Sequence, residues 1–151
     1  DFTAAYVEIE ATYLVPPGSP LKTIADVDRE GVRIAISGKS AYDLYLTRTL
    51  KHAQLVRIVG ADSAFKQFVD DKLDALAGLR PRLVQDHDHF PGSRILDGQF
   101  TAVQQAAGTP KGRTAGARYL REFVEDIKAT GLVARTIEKN NVRGLTVAPR
   151  A

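Results

Sequence analysis

The sequence predicts an α/β fold: a mainly parallel sheet flanked by helices. Two observations carry this. Short apolar runs at residues 32–36 (VRIAI), 55–59 (LVRIV) and 73–79 (LDALAGL) read as strands. Between them lie stretches whose apolar residues recur at helical spacing, so strand and helix alternate in βαβ order. The length of 151 residues suits one domain, and the 44% hydrophobic and 26% charged residues are globular values.

Residues 6–15 (YVEIEATYLV) partly alternate and are rich in β-formers, which predicts a strand. Pro16, Pro17, Gly18 and Pro20 then mark a turn. Thr23 caps a short helix, with Asp26 at the reciprocal position of a capping box. After the strand at 32–36 comes the polar turn 37–40 (SGKS). A helix follows over 41–50, with Ala41, Leu44, Tyr45 and Leu50 as its inner face. The strand at 55–59 leads to a helix capped by Asp62 or Ser63, with the stripe Ala64, Phe65, Phe68 and Val69. The strand at 73–79 is apolar enough to be buried on both faces. Pro81 opens a helix to about Gln85, and Phe90-Pro91-Gly92 ends it. Residues 95–96 and 100–103 predict short strands. Thr109-Pro110 opens the longest helix, with Gly116, Tyr119, Leu120, Phe123, Val124 and Ile127 turned inward. Gly131 ends it, residues 132–140 form a last helix, and 142–151 read as a tail.

The composition narrows the function classes. Cysteine is absent, which excludes disulfides, thiolate metal sites and cysteine nucleophiles. The formal charge is +3, from 21 basic and 18 acidic residues. Lys111, Arg113, Arg118 and Arg121 are scattered rather than blocked, and no aromatics interleave them, so nucleic acid is not expected as a partner. No apolar run reaches the roughly 20 residues of a membrane span. The chain begins at Asp1 and contains no methionine, which reads as a mature or excised piece.

Chemistry concentrates at strand ends. The turn Ser37-Gly38-Lys39-Ser40 joins a parallel strand to a helix, where open α/β sheets bind ligands. Free backbone N–H groups and the helix dipole favour an anion there, Lys39 adds charge and Ser40 a hydroxyl. The spacing is neither a Walker loop nor GxGxxG. Capping by Ser40 with a solvated Lys39 reads equally well. Gly78-Leu79-Arg80 ends a second strand at the same edge, and Arg80 can fork onto a carboxylate or pair with a surface acid. Asp86-His87-Asp88-His89 has metal-binding residue types, but the polar-loop reading is preferred and no metal site is expected. Glu8 and Glu10 share a strand face and read as solvent-facing rather than as an acid–base pair. No GxSxG elbow is present, and no cofactor is expected.

The order of these segments resembles the solute-binding proteins of polar-amino-acid ABC transporters. The resemblance runs through YVEIEATYLVPPGSP, LKTIADV and GVRIAISGKSAYDLYL, and continues in ADSAFKQFVDDKLDALAG. It covers nearly the whole chain. It implies a type II periplasmic-binding-protein lobe that takes a small carboxylate or amino-acid-like solute, docks on a membrane permease and works in the periplasm without catalysis. It implies three segments: residues 1–15 as a hinge strand, 16–100 as the α/β ligand-binding lobe, and 101–151 as the returning hinge strand and C-terminal helices. Gly38, Lys39, Ser40 and Ala41 match the ligand-contacting turn, and Leu79 and Arg80 match the second contact. Tyr6 and Glu10 match the hinge strand, with Gln104 and Gln105 on the returning one.

Two departures qualify what the resemblance implies. The first lobe of such proteins has no counterpart here. Without it, the C-terminal stripe of Tyr119, Phe123 and Ile127 is expected to drive a homodimer. Leu79 stands where amino-acid binders place an aspartate for the α-ammonium, and a leucine cannot compensate a buried ammonium. The expected ligand is therefore an anion without a free α-amine. An effector-sensing domain of a regulator or sensor kinase is the alternative, and an enzyme on the same fold the third reading.

Overall fold

A computed structural model describes residues 1–151. The chain forms two compact units, Asp1–Ile9 with Ala102–Ala151, and Glu10–Thr101. The first strand, β1 (Phe2–Val15), runs through both.

The 10–101 unit carries the alternating strands and helices that the sequence predicts. Its sheet has the order β3 (Gln54–Ile58), β2 (Arg33–Ser37), β4 (Ala75–Leu79), the second half of β1, and β5 (Arg94–Ile95). β2 is parallel to both β3 and β4, whereas β1 runs antiparallel to β4 and β5. Alternation along the strands divides the core. Tyr13, Ile34, Ile36, Ala75 and Ala77 face one layer, with Val27 and Leu46 from α1 (Ile24–Val27) and α2 (Ala41–Thr49). Leu14, Ala35 and Leu76 face the other, with Ala64, Phe68 and Leu83 from α3 (Ala61–Asp70) and α4 (Arg80–Asp88). Gly78 permits the β4–α4 approach, because a Cβ there would lie 3.0 Å from Leu83 Cδ2.

Local signals hold in detail. Thr23 and Asp26 form the expected capping box. Other expectations shift. In α2 the buried residues are Asp43 and Leu46, while Leu44 and Ala41 face solvent. Asp43 is buried because turn and strand groups partner its carboxylate, so polarity misread the helix face. The cap of α3 is Gly60, with φ 89° and no capping side chain, not Asp62 or Ser63.

The other unit pairs β1 with β6 (Thr101–Gly108) and with β7 (Leu145–Val147). The 142–151 stretch is therefore not a plain tail, since its strand is registered Val7 to Val147. The long helix α5 (Thr114–Ala129) starts after Thr109-Pro110, beyond a turn at 111–112. Gly131, with φ 76°, takes the left-handed conformation between α5 and α6 (Leu132–Lys139). Of the α5 stripe, Val124 is buried, Leu120 and Ile127 are half-buried, and Gly116, Tyr119 and Phe123 are exposed. Ala117 and Lys128 complete the buried face.

Candidate functional site

Because β2 and β4 are parallel neighbours, the turns after Ser37 and Leu79 come to one edge of the sheet. The 37–40 turn is held from within. Gly38 N–H donates to Ile58 O at 2.8 Å, and Lys39 N–H to Asp43 Oδ2 at 2.8 Å. Ser40 Oγ caps α2 by accepting Asp43 N–H at 3.1 Å. Lys39 has φ 65°, the left-handed region that non-glycine residues seldom adopt. Arg57 Nε in turn donates to Asp43 Oδ1 at 2.9 Å. The Gly38 and Lys39 amides expected to be free for an anion are thus already engaged. The protein's own Asp43 carboxylate occupies the turn. What stays open at this turn is the Lys39 ammonium, the Ser40 hydroxyl proton and the first amides of α2, including that of Ala41.

Arg80 is likewise engaged. Its Nε pairs with Glu10, and its Nη2 donates to Gly98 O at 2.6 Å. Leu79 is the last residue of β4 and pairs with Ala11. Tyr6 and Gln104 belong to the other unit. Tyr6 lines an apolar groove there of about 560 Å³, with Val7, Ile9, Ile127, Leu132 and Val133. Gln104 donates to Glu8 Oε1 at 3.0 Å, while Gln105 also borders the groove. Glu8 and Glu10 therefore have separate partners.

Next to the 37–40 turn lies a polar group that sequence reading passed over. Arg82, on the first turn of α4, donates from Nε to Asp86 Oδ1 at 2.9 Å, and its Nη1 lies 2.7 Å from Asp62 Oδ1. Burial raises the Tyr42 hydroxyl above its ordinary value, and the neighbouring Ser40 and Ser37 side chains oppose that rise. Burial likewise pushes the Asp86 carboxyl up, despite the opposing pull of Arg82. Ser37, Tyr42, Gly78, Arg82 and Asp86 border a cavity of about 10 Å³. Two signals were available in the sequence: Arg82 and Asp86 stand four apart on a helix, and Ser40-x-x-Asp43 is a capping pattern.

The Asp86-to-His89 cluster lies mostly on a helix and not in the polar loop expected. Asp86, His87 and Asp88 lie on α4. His87 Nδ1 contacts Ser93 Oγ at 3.0 Å and His89 Nδ1 contacts Gln85 O at 2.8 Å.

Solved structures share this fold. The L-cysteine solute receptor of Neisseria gonorrhoeae superposes with a TM-score of 0.76 at 18% identity, covering 95% of this chain and 59% of that one. A binding component of an ABC transporter from Wolinella succinogenes, complexed with lysine, gives a TM-score of 0.77 at 20% identity, covering 92% and 61%. An ancestral amino-acid-binding protein, a precursor of cyclohexadienyl dehydratase, gives 0.73 at 19%, covering 92% and 60%. The chain thus spans about three-fifths of the length of these structures. No protein-family model and no curated protein matches the chain. The fold is the α/β fold of periplasmic binding proteins of type II. No helix is long and apolar enough to cross a membrane.

Proposed function

We propose that this chain is a ligand-binding lobe of a solute-binding protein serving ABC-type uptake in the periplasm, and that it binds without catalysing a reaction. The observation that carries the reading is likeness over nearly the whole chain to amino-acid-binding proteins, two of them described as a solute receptor and a transporter component. The polar edge formed by the ends of β2 and β4 supports it, since that is where open α/β sheets take ligands. Lys39, Ser40 and Ala41 offer the open groups of the turn, with Gly38 shaping it. Leu79 and Arg80 close the adjoining strand end. Glu10 acts by holding Arg80. Tyr6 and Gln104 enter only through the resemblance. The partners are a small solute and a membrane permease.

The solute is a carboxylate or similar anion without a free α-amine. Leu79 supplies no charge for an ammonium, and leaving one unpaired in an apolar contact costs several kcal/mol. An amide nitrogen–proton titration with small carboxylates, amino acids, phosphate and sulfate tests both statements. Saturable shifts at 37–43 and 79–82 with amine-free acids are expected. Shifts of that kind with lysine or cysteine alone contradict the solute class, and no shift with any compound contradicts the binding role. Leu79→Asp is expected to admit amino acids, and no gain in their affinity counts against the argument from Leu79.

A further inference from the structure

We propose that Arg82 is the group that grips the ligand's carboxylate, with Asp62 standing in for that carboxylate until the ligand displaces it. The inference rests on the solute-binding reading and names the recognising residue within that site. Three arginines lie near the strand-end edge, and their partners differ. Arg57 donates to the buried Asp43 and to Thr47, and Arg80 to Glu10 and two backbone carbonyls. Arg82 alone divides its fork between two carboxylates, one buried and one open. Asp86 has only 6% of its side chain exposed, and it fixes the guanidinium through Nε. Asp62 has 93% exposed and meets Nη1. An ion pair with so exposed a member is held weakly and screened by salt. Nη2 has no partner within the chain. The guanidinium is therefore pre-oriented on one side and open on the other, the arrangement a planar carboxylate meets with two parallel hydrogen bonds.

The neighbouring cavity fits the same chemistry. Its volume of about 10 Å³ holds a single oxygen atom. Tyr42 and Ser37, both hydroxyl-bearing, line it. One carboxylate oxygen enters, while the rest of the solute stays outside on the edge. Asp86 also borders this space. Its opposing charge is met by Arg82 Nε, so the ligand approaches the Nη side.

The test is a titration of the chain with acetate, followed by the arginine side-chain nitrogens and the amides of residues 37–43 and 79–83. A saturable shift of Arg82 is expected. Asp62→Asn removes the stand-in and tightens acetate binding about two- to fivefold. Arg82→Gln weakens it at least about tenfold. Arg82→Lys keeps the charge without the fork and gives a smaller loss, which guards against a variant that fails to fold. Arg48→Gln, on the exposed side of α2, is the charge-matched control and binds as wild type does. If wild type binds acetate and Arg82→Gln and Arg82→Lys bind it equally well, the inference is overturned while the solute-binding reading stands. Equal, Arg82-dependent binding of sulfate overturns the assignment to a planar carboxylate. A wild type that responds to none of acetate, sulfate, phosphate or amino acids overturns the reading and the inference together.

Discussion

The two units solve the burial problem by different means. In the 10–101 unit, a sheet with apolar side chains on both faces is covered by helices, and Tyr13, Phe68, Ile34, Ile36 and Leu83 are almost wholly enclosed. In the other unit, the long helix buries Ala117 and Val124 but also Lys128, whose side chain is only 2% exposed. The Lys128 ammonium donates to Ala5 O at 3.1 Å and Pro149 O at 2.8 Å, and it pairs with Glu125 at 2.6 Å. It ties the first strand, the long helix and the C-terminal segment at one point. The first unit is held by area removed from water, which is forgiving of shape and spread over many residues. The second depends on a polar knot, where losing one member strands the others.

That contrast sets the expected sizes of substitutions. Phe68→Ala empties a packed site between α3 and the sheet and is expected to cost about 3–5 kcal/mol by chemical denaturation. Lys128→Met keeps the volume but leaves Glu125 and two carbonyls without their cation, an expected cost of about 3 kcal/mol. If Lys128→Met is neutral while Phe68→Ala is not, the knot is ornamental and the contrast fails.

A smaller effect depends on pH. Burial alone would raise the Asp28 carboxyl, but the amides of Ala53, His52 and Lys51 donate to it and hold it below the ordinary carboxylate range. Its folded value lies below its unfolded one, so its stabilisation is present above the unfolded value, near pH 4. It is lost as pH falls through the folded value. Asp28→Asn is expected to lower stability at pH 7 and to flatten the decline below about pH 4, read from unfolding midpoints across pH. An unchanged acid limb would contradict the role of those amides. The smallest effect is expected at Tyr119, 68% exposed and stacked on Phe123 with ring centres 6.3 Å apart. Tyr119→Ser should move stability by less than about 0.5 kcal/mol in thermal melts.

Much of the 10–101 unit was legible in the sequence because its order rests on local signals. The VRIAI and LDALAGL runs have the length and apolarity of enclosed strands, and Thr23 with Asp26 writes a cap that needs no tertiary context. Tertiary partners overrode local pattern elsewhere. Asp43 and Lys128 are polar residues on inner helix faces, satisfied by groups outside their own helices, and a polarity rule turns both outward. Strand β7 is short and finds its register only by pairing with β1, so LTV read as tail. At the site, the edge was legible from strand–turn–helix order. The use of the Gly38 and Lys39 amides by Ile58 and Asp43 was not, since it depends on a neighbouring strand and on a side chain folding back. Arg82 escaped notice because Asp62 reaches it from another helix only in the folded chain, and because Asp86 lies just beyond the end predicted for its helix, at about Gln85.

The central claim is that solute binding belongs to the polar strand-end edge of the 10–101 unit. Amide hydrogen exchange, with and without saturating small carboxylate, tests it most directly. Added protection over residues 37–43 and 79–83, with exchange over 114–139 unchanged, is the outcome this account requires. Protection confined to 114–139, or none at the edge under conditions where binding is measurable, would contradict it.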